Sequence, residues 1–280
     1  MRAVVLNSSG LPEVGQTAEP EGLDVLRVLA CGLCGSDVEK IGRAPAGTVL
    51  GHEVVAQVDG KRVALVHHKP CGECERCRAG HESTCAEFSA ATIEPGGFAE
   101  RVNASGGWVE LPAEVDDVLG SYAEPLACVL RGAERVPAGD VLVLGGGFVG
   151  QLFAAVLRRR GDHVYVRDRD PARSGPEPPG PVASVVVCAP GAGPDALAAV
   201  ESGGFVLVFA EAGGLDAAEL YRREITVTGS RSATRGHMEE AVALLPELDL
   251  PDALVLPLER FDEGLAAYRN REAVKVVFRP

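Results

Sequence analysis

Four cysteines stand close together in the chain and could hold a metal ion. Cys71, Cys74, Cys77 and Cys85 follow the spacing C-x2-C-x2-C-x7-C. Short spacings within one loop let four thiolates converge on a single point, which suits tetrahedral zinc. A four-iron cluster is the alternative, although bacterial cluster motifs use a shorter last spacing. Because four sulfur ligands leave no position for a substrate, the segment predicts a structural zinc site and places catalysis elsewhere.

A second group of possible metal ligands lies upstream, in "CGLCGSDVEK" (31–40) and "GHEVVAQV" (51–58). Cys34 sits in a glycine-flanked turn after an apolar run, and His52 opens a predicted strand after Gly51. A cysteine and a histidine at neighbouring strand ends, together with a carboxylate, make a three-ligand zinc site with one open position. Such a site can bind water or an alcohol, so this group is the candidate catalytic centre.

The segment "DVLVLGGGFVGQLFAAVLRRRGDHVYVRD" predicts a strand, a glycine turn, an amphipathic helix and a second strand. Gly145, Gly147 and Gly150 fit the G-x-G-x-x-G pattern, which brings a helix N-terminus up to a pyrophosphate. Asp168 ends the second strand, where a carboxylate binds ribose hydroxyls and repels an extra phosphate. This context predicts NAD rather than NADP, although the arginines flanking Asp168 could attract the extra phosphate.

The segment after Asp168 is too short for the next helix and strand of a doubly wound sheet. "PARSGPEPPGPVA" (171–183) leads directly into the apolar strand "SVVVCAP". Its prolines exclude a regular helix or a central strand. In the order 3-2-1-4-5-6, strand three is an edge, so its loss leaves the centre of the sheet covered. We therefore expect a parallel sheet that lacks its third strand, which removes part of the usual wall of the adenine pocket.

Length and charge narrow the classes of function. A chain of 280 residues is long enough for two domains. Its net charge of −13 argues against nucleic acid and anionic membranes as partners. The N-terminus "MRAVVLNSSG" lacks a basic segment followed by an apolar run, and no stretch is apolar enough for a membrane helix. These features predict a cytoplasmic protein that acts on a small molecule, in a compartment where cysteines favour metals over disulfides.

The motifs resemble, in order, those of zinc-dependent medium-chain dehydrogenases of the alcohol and polyol dehydrogenase superfamily. The resemblance also includes "GGFAE" (96–100), "EPLACVLRG" (124–132) and the C-terminal "PLERFDEGLAAYRNREAVKVVFRP". It implies a GroES-like, mostly β catalytic domain at 1–116 and 252–280, and a shortened Rossmann domain at 117–251. The active site would lie in the cleft between these domains, and relatives are usually homodimers or homotetramers.

The resemblance also implies roles for the residues of the upstream group. Cys34 and His52 become ligands of the catalytic zinc, with Glu53 beside them as a carboxylate able to approach the metal. Ser36 would accept the alcohol proton. Asp37 would orient the ring of His52, because ligand histidines usually direct their other nitrogen at an acceptor.

The third protein ligand is expected from "EPLAC", where the polyol-type branch uses the glutamate. This favours Glu124, with Cys128 one turn later as the alternative. Cys31 is expected to be a small buried side chain and not a ligand. Glu39 stands where many relatives carry a histidine that passes a proton to solvent, so it is either a proton relay or a surface residue.

The predicted activity is hydride transfer between the carbinol carbon of a polyol, sugar alcohol or cyclitol and NAD, with two zinc ions per chain. Two alternatives stay open: an NADP-dependent carbonyl reductase, and a zinc-stabilised binding protein that has lost its cofactor. His67 and His68, which precede the cysteine segment, are expected to line a strand end and not to bind metal.

Overall fold

The computed structural model describes residues 1–88 and 92–280, and its backbone divides into two compact units. The first unit comprises Met1–Ala127, Ala233–Glu247 and Pro251–Pro280; the second comprises Cys128–Ser232 and Leu248–Leu250. The sequence-based domain limits, at 116/117 and 251/252, stay a prediction. No helix in the two described ranges is long and apolar enough to cross a bilayer.

Strands and helices are numbered here in chain order. The strands are β1 Arg2–Leu6, β2 Pro12–Gln16, β3 Val25–Gly32, β4 Glu53–Val58, β5 Lys61–Leu65, β6 Arg101–Asn103, β7 Trp108–Glu110, β8 Asp140–Leu144, β9 His163–Arg167, β10 Val182–Val187, β11 Val200–Val208, β12 Thr226–Gly229, β13 Ala253–Pro257 and β14 Lys275–Arg279. The helices are α1 Gly35–Lys40, α2 Glu75–Arg78, α3 Asp117–Gly120, α4 Ala123–Ala133, α5 Phe148–Arg160, α6 Gly193–Ala199, α7 Ala217–Arg223, α8 Arg235–Leu244 and α9 Phe261–Arg269.

The first unit is built on a seven-stranded, mostly antiparallel sheet. Its strand order is β13-β14-β3-β4-β5-β7, and β6 also pairs with β3. Strand β14, from the C-terminus, pairs antiparallel with β3. The aromatic rings of Phe98, Phe261 and Phe278 pack in the core with centroids 4.7–5.6 Å apart. The pairing of β14 with β3 places the C-terminal strand beside the strand that leads into Cys34.

Strands β4 and β5 are joined by a two-residue turn at Asp59 and Gly60. Both residues have positive φ, 47° and 77°, as a type I′ hairpin turn requires. Val58 pairs with Lys61 across the turn. The chain therefore returns directly after β4, and the hairpin fixes the strand whose first residue is Glu53.

The second unit contains a parallel sheet with the strand order β12-β11-β10-β8-β9. In doubly wound numbering this order is 6-5-4-1-2, and among the described residues no third strand extends it beyond β9. The predicted loss of strand three is confirmed. The proline-rich segment instead follows this edge: the backbone N–H of Gly175 donates to the carbonyl of Val166 at 2.8 Å. Arg167 also pairs with Glu177, with Nε 3.1 and 3.0 Å from the two carboxylate oxygens. The segment therefore covers part of an edge that would otherwise be open.

Candidate active site and metal centres

The four cysteines of the 71–85 segment form a compact cluster of sulfur atoms. The Sγ–Sγ distances are 3.9 Å for Cys71–Cys77, 3.5 Å for Cys74–Cys77, 3.8 Å for Cys74–Cys85 and 3.5 Å for Cys85–Cys71. A tetrahedral zinc ion with Zn–S bonds of about 2.3 Å requires sulfur atoms about 3.8 Å apart. No disulfide joins these cysteines in the described chain. The cluster therefore fits a structural zinc ion, and its four sulfurs would fill the coordination sphere.

The upstream group is assembled by the antiparallel pairing of β3 and β4. Cys34 precedes helix α1, and Gly32 at the end of β3 pairs with Glu53 at the start of β4. Donor atoms of Cys34, His52 and Glu53 lie within 4.8 Å of one another. Sulfur, imidazole nitrogen and carboxylate oxygen are the three ligand types of zinc in proteins. This set fits zinc and leaves room for a fourth, non-protein ligand.

Asp37 is fully buried and holds this group together. Its Oδ1 lies 3.2 Å from Nδ1 of His52 and accepts from the N–H of Gly51 at 3.1 Å, while Oδ2 accepts from the N–H of Cys34 at 3.1 Å. Burial opposes ionisation of this carboxyl, but the charge and hydrogen bond of His52 outweigh it, so the pKa of Asp37 is lowered. Asp37 thus lies within hydrogen-bond distance of the His52 ring, and its role in orienting a zinc ligand stays a prediction.

The structure places the remaining predicted site residues as follows. Ser36 directs its Oγ at Sγ of Cys34, 3.4 Å away. Glu39 is exposed, as a surface residue would be. Glu124 is buried near the start of α4 but lies outside the three-residue donor group. Glu53 thus occupies the third place in the group, and Glu124 as a zinc ligand stays a prediction.

Cys31, three residues before Cys34, is 1% exposed and also lies outside the donor group. Burial, and then the nearby charges of Asp37 and Glu53, raise the pKa of its thiol well above the usual value. A thiol that resists ionisation is a poor metal ligand. Its position agrees with the expected packing role.

Lys275 is a site residue that the sequence reasoning missed. It lies in β14, is 1% exposed, and forms a buried ion pair with Glu53, which is also 1% exposed. Its Nζ also donates to the carbonyl of Leu33 at 3.2 Å. The available signal was a lysine inside the otherwise apolar strand "KVVF", since lysine is rarely fully buried without a partner. Lys275 therefore balances the charge of Glu53, the carboxylate member of the donor group.

His67 and His68 follow β5 and lie outside both donor groups, as expected, but their rings form a stack that the sequence did not indicate. The ring of His67 stacks on that of His52, with centroids 4.6 Å apart and an interplanar angle of 27°. The ring of His68 lies 4.0 Å from that of His67 at an interplanar angle of 44°, and it stacks on Phe88 at 4.5 Å. Burial, and then the charges of His52, His68 and Lys40, lower the pKa of His67 to about 2. His67 is therefore a neutral ring beside the donor group.

The glycine turn between β8 and α5 has the backbone shape of a dinucleotide loop. Gly145 has φ of 106°, which a glycine adopts without strain. A Cβ on Gly150 would lie 1.8 Å from the carbonyl oxygen of Gly145, so this position admits no side chain. A Cβ on Gly147 would meet no described atom within 4 Å. The turn is tightly packed at Gly150 and open at Gly147, as a loop that receives a phosphate at the N-terminus of α5 requires.

Gly150→Ala is expected to lower the free energy of unfolding by about 1–3 kcal/mol, because the methyl group must force α5 away from the turn. Chemical denaturation followed by circular dichroism measures this loss. Gly147→Ala is the matched control, since its Cβ enters open space and its φ of −71° suits alanine. Equal stability of the two variants would contradict the packing role of Gly150.

Asp168 joins the glycine turn to the proline-rich segment. Its Oδ2 accepts from the N–H of Gly146 at 2.8 Å, and its Oδ1 accepts from the N–H of Asp170 at 2.9 Å. Its own N–H donates to Oγ of Ser174 at 2.9 Å. Each carboxylate oxygen keeps a further lone pair for a ligand hydroxyl. The short segment therefore positions Asp168 at the turn.

Comparison with known proteins identifies relatives of this chain. Residues 21–113 match the alcohol dehydrogenase GroES-like domain. The chain is 29% identical over 169 residues to L-galactonate-5-dehydrogenase of Escherichia coli (strain K12), covering 53% of this chain and 49% of the relative. It is 32% identical over 169 residues to D-altritol 5-dehydrogenase of Agrobacterium fabrum (strain C58 / ATCC 33970), covering 51% and 49%. The chain thus spans about half the length of the curated relatives it matches.

Solved structures resemble this chain over its whole length. A protein of Sinorhizobium meliloti 1021, described as a zinc-binding dehydrogenase bound to NADP, is 26% identical with a TM-score of 0.84, covering 100% of this chain and 99% of that one. L-idonate 5-dehydrogenase of Escherichia coli K-12 shares the fold at 21% identity and a TM-score of 0.80, covering 100% and 98%. The predicted fold class, a GroES-like sheet domain with a Rossmann-like parallel sheet, is confirmed. The chain therefore carries an alcohol dehydrogenase GroES-like domain at residues 21–113, and it is similar in sequence and fold to zinc-binding dehydrogenases.

Proposed function

We propose that this protein is a zinc-dependent oxidoreductase that transfers a hydride between the carbinol carbon of a polyol, sugar alcohol or cyclitol and NAD. The observation that carries the proposal is the convergence of Cys34, His52 and Glu53 beside the hydroxyl of Ser36. The names of the relatives, which include dehydrogenases of L-galactonate, D-altritol and L-idonate, support a polyhydroxylated substrate.

Each residue of the donor group has a distinct part in this chemistry. A zinc ion bound there would supply the Lewis acidity that lowers the pKa of an alcohol, and NAD would supply the hydride acceptor. Ser36 would relay the alcohol proton, accepting it on Oγ while releasing its own hydroxyl proton to solvent. Asp37 fixes the orientation of the His52 ring through the 3.2 Å contact. Lys275 holds the carboxylate of Glu53 in place by their buried ion pair.

The proposed cofactor site is the turn at Gly145, Gly147 and Gly150 together with Asp168. The backbone N–H groups at the start of α5 would bind the pyrophosphate. Asp168, held by Gly146 and Asp170, would accept hydrogen bonds from the adenosine ribose hydroxyls and disfavour a 2′-phosphate. The four-cysteine cluster would hold the second zinc ion of the chain.

NADP is the second candidate cofactor, in a carbonyl reductase reaction. Two observations favour it: Arg169 is exposed next to Asp168, and the Sinorhizobium meliloti relative was solved with NADP. A guanidinium at this position can pair with a 2′-phosphate. The binding of NADH must therefore be compared with the binding of NADPH.

Calorimetric titration of the zinc-loaded protein with NADH and then NADPH tests the proposal. We expect saturable binding with NADH tighter than NADPH, and Asp168→Asn should weaken NADH binding about tenfold, since a hydrogen bond to a charged group is worth about 1.5–3 kcal/mol. The same preparation is then assayed with NAD and a panel of polyols. Tighter binding of NADPH would favour the carbonyl reductase. Binding of neither nucleotide would contradict both reactions and support a non-catalytic protein.

The proposal extends to assembly and location. We infer a homodimer or homotetramer in the cytoplasm, as for the family the sequence resembles. Sedimentation of the purified protein at several concentrations tests the first point, and a monomer at all concentrations would contradict it.

A further inference from the structure

The ring of His67 lies next to the catalytic donor group, but it has no part in the proposed reaction as described so far. His67 follows β5, and its ring stacks face to face on His52, 4.6 Å between centroids. The ring of His68 also contacts it, with centroids 4.0 Å apart and an interplanar angle of 44°. Contacts with both rings restrict the orientation of the His67 side chain. The imidazole of His67 is therefore held against His52, which is a ligand of the proposed metal.

One ring nitrogen of His67 lacks a hydrogen-bond partner in the described part of the chain. Its Nδ1 is buried and has no hydrogen-bond partner among the residues that the structure describes. The residue as a whole is half-buried. A half-turn about the Cβ–Cγ bond exchanges Nδ1 with Cδ2 without moving the ring plane. Unmatched buried polar atoms destabilise a fold, and a ligand that pairs with this ring would remove that cost.

The chemistry of the ring selects the kind of group it can pair with. A neutral imidazole has one donor and one acceptor nitrogen, which complements a hydroxyl, itself a donor and an acceptor. The reacting hydroxyl of an alcohol would bind at the donor group that includes His52. The substituent on the neighbouring carbon would then be the part of the substrate closest to the next ring.

We propose that His67 binds a second hydroxyl of the substrate, on the carbon next to the carbinol, and so selects vicinal diols over simple alcohols. This inference rests on the proposed function and names the substrate class of the same site. Sites built to pair with a substrate hydroxyl discriminate strongly against analogues that lack it, because the polar group of the site is then left unpaired.

The test compares 2,3-butanediol with 2-butanol, which share a carbon skeleton and differ by one hydroxyl. The wild-type, zinc-loaded protein should show kcat/KM at least about tenfold higher for the diol, the equivalent of about 1.4 kcal/mol. His67→Phe keeps an aromatic ring for stacking but removes both nitrogens. It should lower kcat/KM for the diol until the ratio of the diol value to the 2-butanol value is about one.

His68→Phe is the matched control, because it makes the same substitution in the adjacent ring, which stacks on Phe88. It should keep the preference for the diol. Equal use of both substrates by the wild type, or a preference that survives His67→Phe, would overturn the inference even if the protein is an active dehydrogenase.

A binding measurement separates this inference from the proposed function. Ligand-observed NMR titration of the zinc-loaded protein gives the affinities for the diol and for 2-butanol without turnover. If no alcohol is oxidised with either nucleotide, the proposed function fails. Tighter binding of the diol that His67→Phe abolishes would still support the inference, whereas equal affinities would overturn it.

Discussion

Replacing Cys34 by serine is expected to lower kcat/KM for alcohol oxidation by about a thousandfold or more while leaving the fold intact. The thiolate is one of three converging donors, and a serine hydroxyl is a much weaker zinc ligand. The Lewis acid lost with the metal is worth several kcal/mol in the transition state, and each 1.36 kcal/mol is tenfold in rate. In the metal-free protein, the free energy of unfolding should change by less than about 1 kcal/mol, because the substitution alters one atom of a half-buried side chain.

Cys74→Ser makes the same chemical change in the four-cysteine cluster. Unlike Cys34→Ser, it should destabilise the fold of that segment. The remaining three sulfurs hold zinc weakly, and binding of a structural zinc ion contributes directly to folding. We expect zinc content to fall from two ions to one in both variants, as measured by elemental analysis. Only Cys74→Ser should make residues 71–85 sensitive to proteolysis. Equal loss of folded structure in both variants would contradict the division into one catalytic and one structural metal.

The parts of the fold that follow from local sequence could be predicted. The four cysteines converge because their spacings place them in one loop, and the sulfur distances of 3.5–3.9 Å agree with that expectation. The parallel sheet lacks its third strand because the prolines of 171–183 cannot form one. The glycine turn is predictable because Gly150 must approach the backbone of Gly145. In each case, covalent geometry within about thirty residues limits the possible structures.

The parts that depend on distant pairing could not be predicted. Glu53 and Lys275 are 222 positions apart and meet only because β14 pairs with β3, which pairs with β4. The stack of His67 on His52 depends on the register of the β4–β5 hairpin. The identity of the carboxylate beside Cys34 also depends on tertiary structure. Glu53 and Glu124 both lie at the start of a strand or helix, and only the tertiary fold brings Glu53 to Cys34. Sequence spacing carries no information about these encounters.

Lys275→Met is expected to destabilise the metal-free protein by about 3–5 kcal/mol. The substitution leaves the carboxylate of Glu53, which is 1% exposed, without its cationic partner. Breaking a buried ion pair from one side has this cost because an uncompensated charge stays in the protein interior. It also removes the donor to the carbonyl of Leu33. Denaturant unfolding of the metal-free variant gives the loss.

Two comparisons show whether the loss comes from charge or from packing. The double variant Glu53→Gln, Lys275→Met has no buried charge at this pair and should recover about half or more of the lost stability. Adding zinc to Lys275→Met should raise its stability more than it raises that of the wild type, because the metal would replace Lys275 as the partner of Glu53. If the double variant is as unstable as the single one, the lysine acts by filling space. If zinc stabilises both proteins equally, Glu53 does not reach the metal, and Glu124 becomes the stronger candidate for the third ligand.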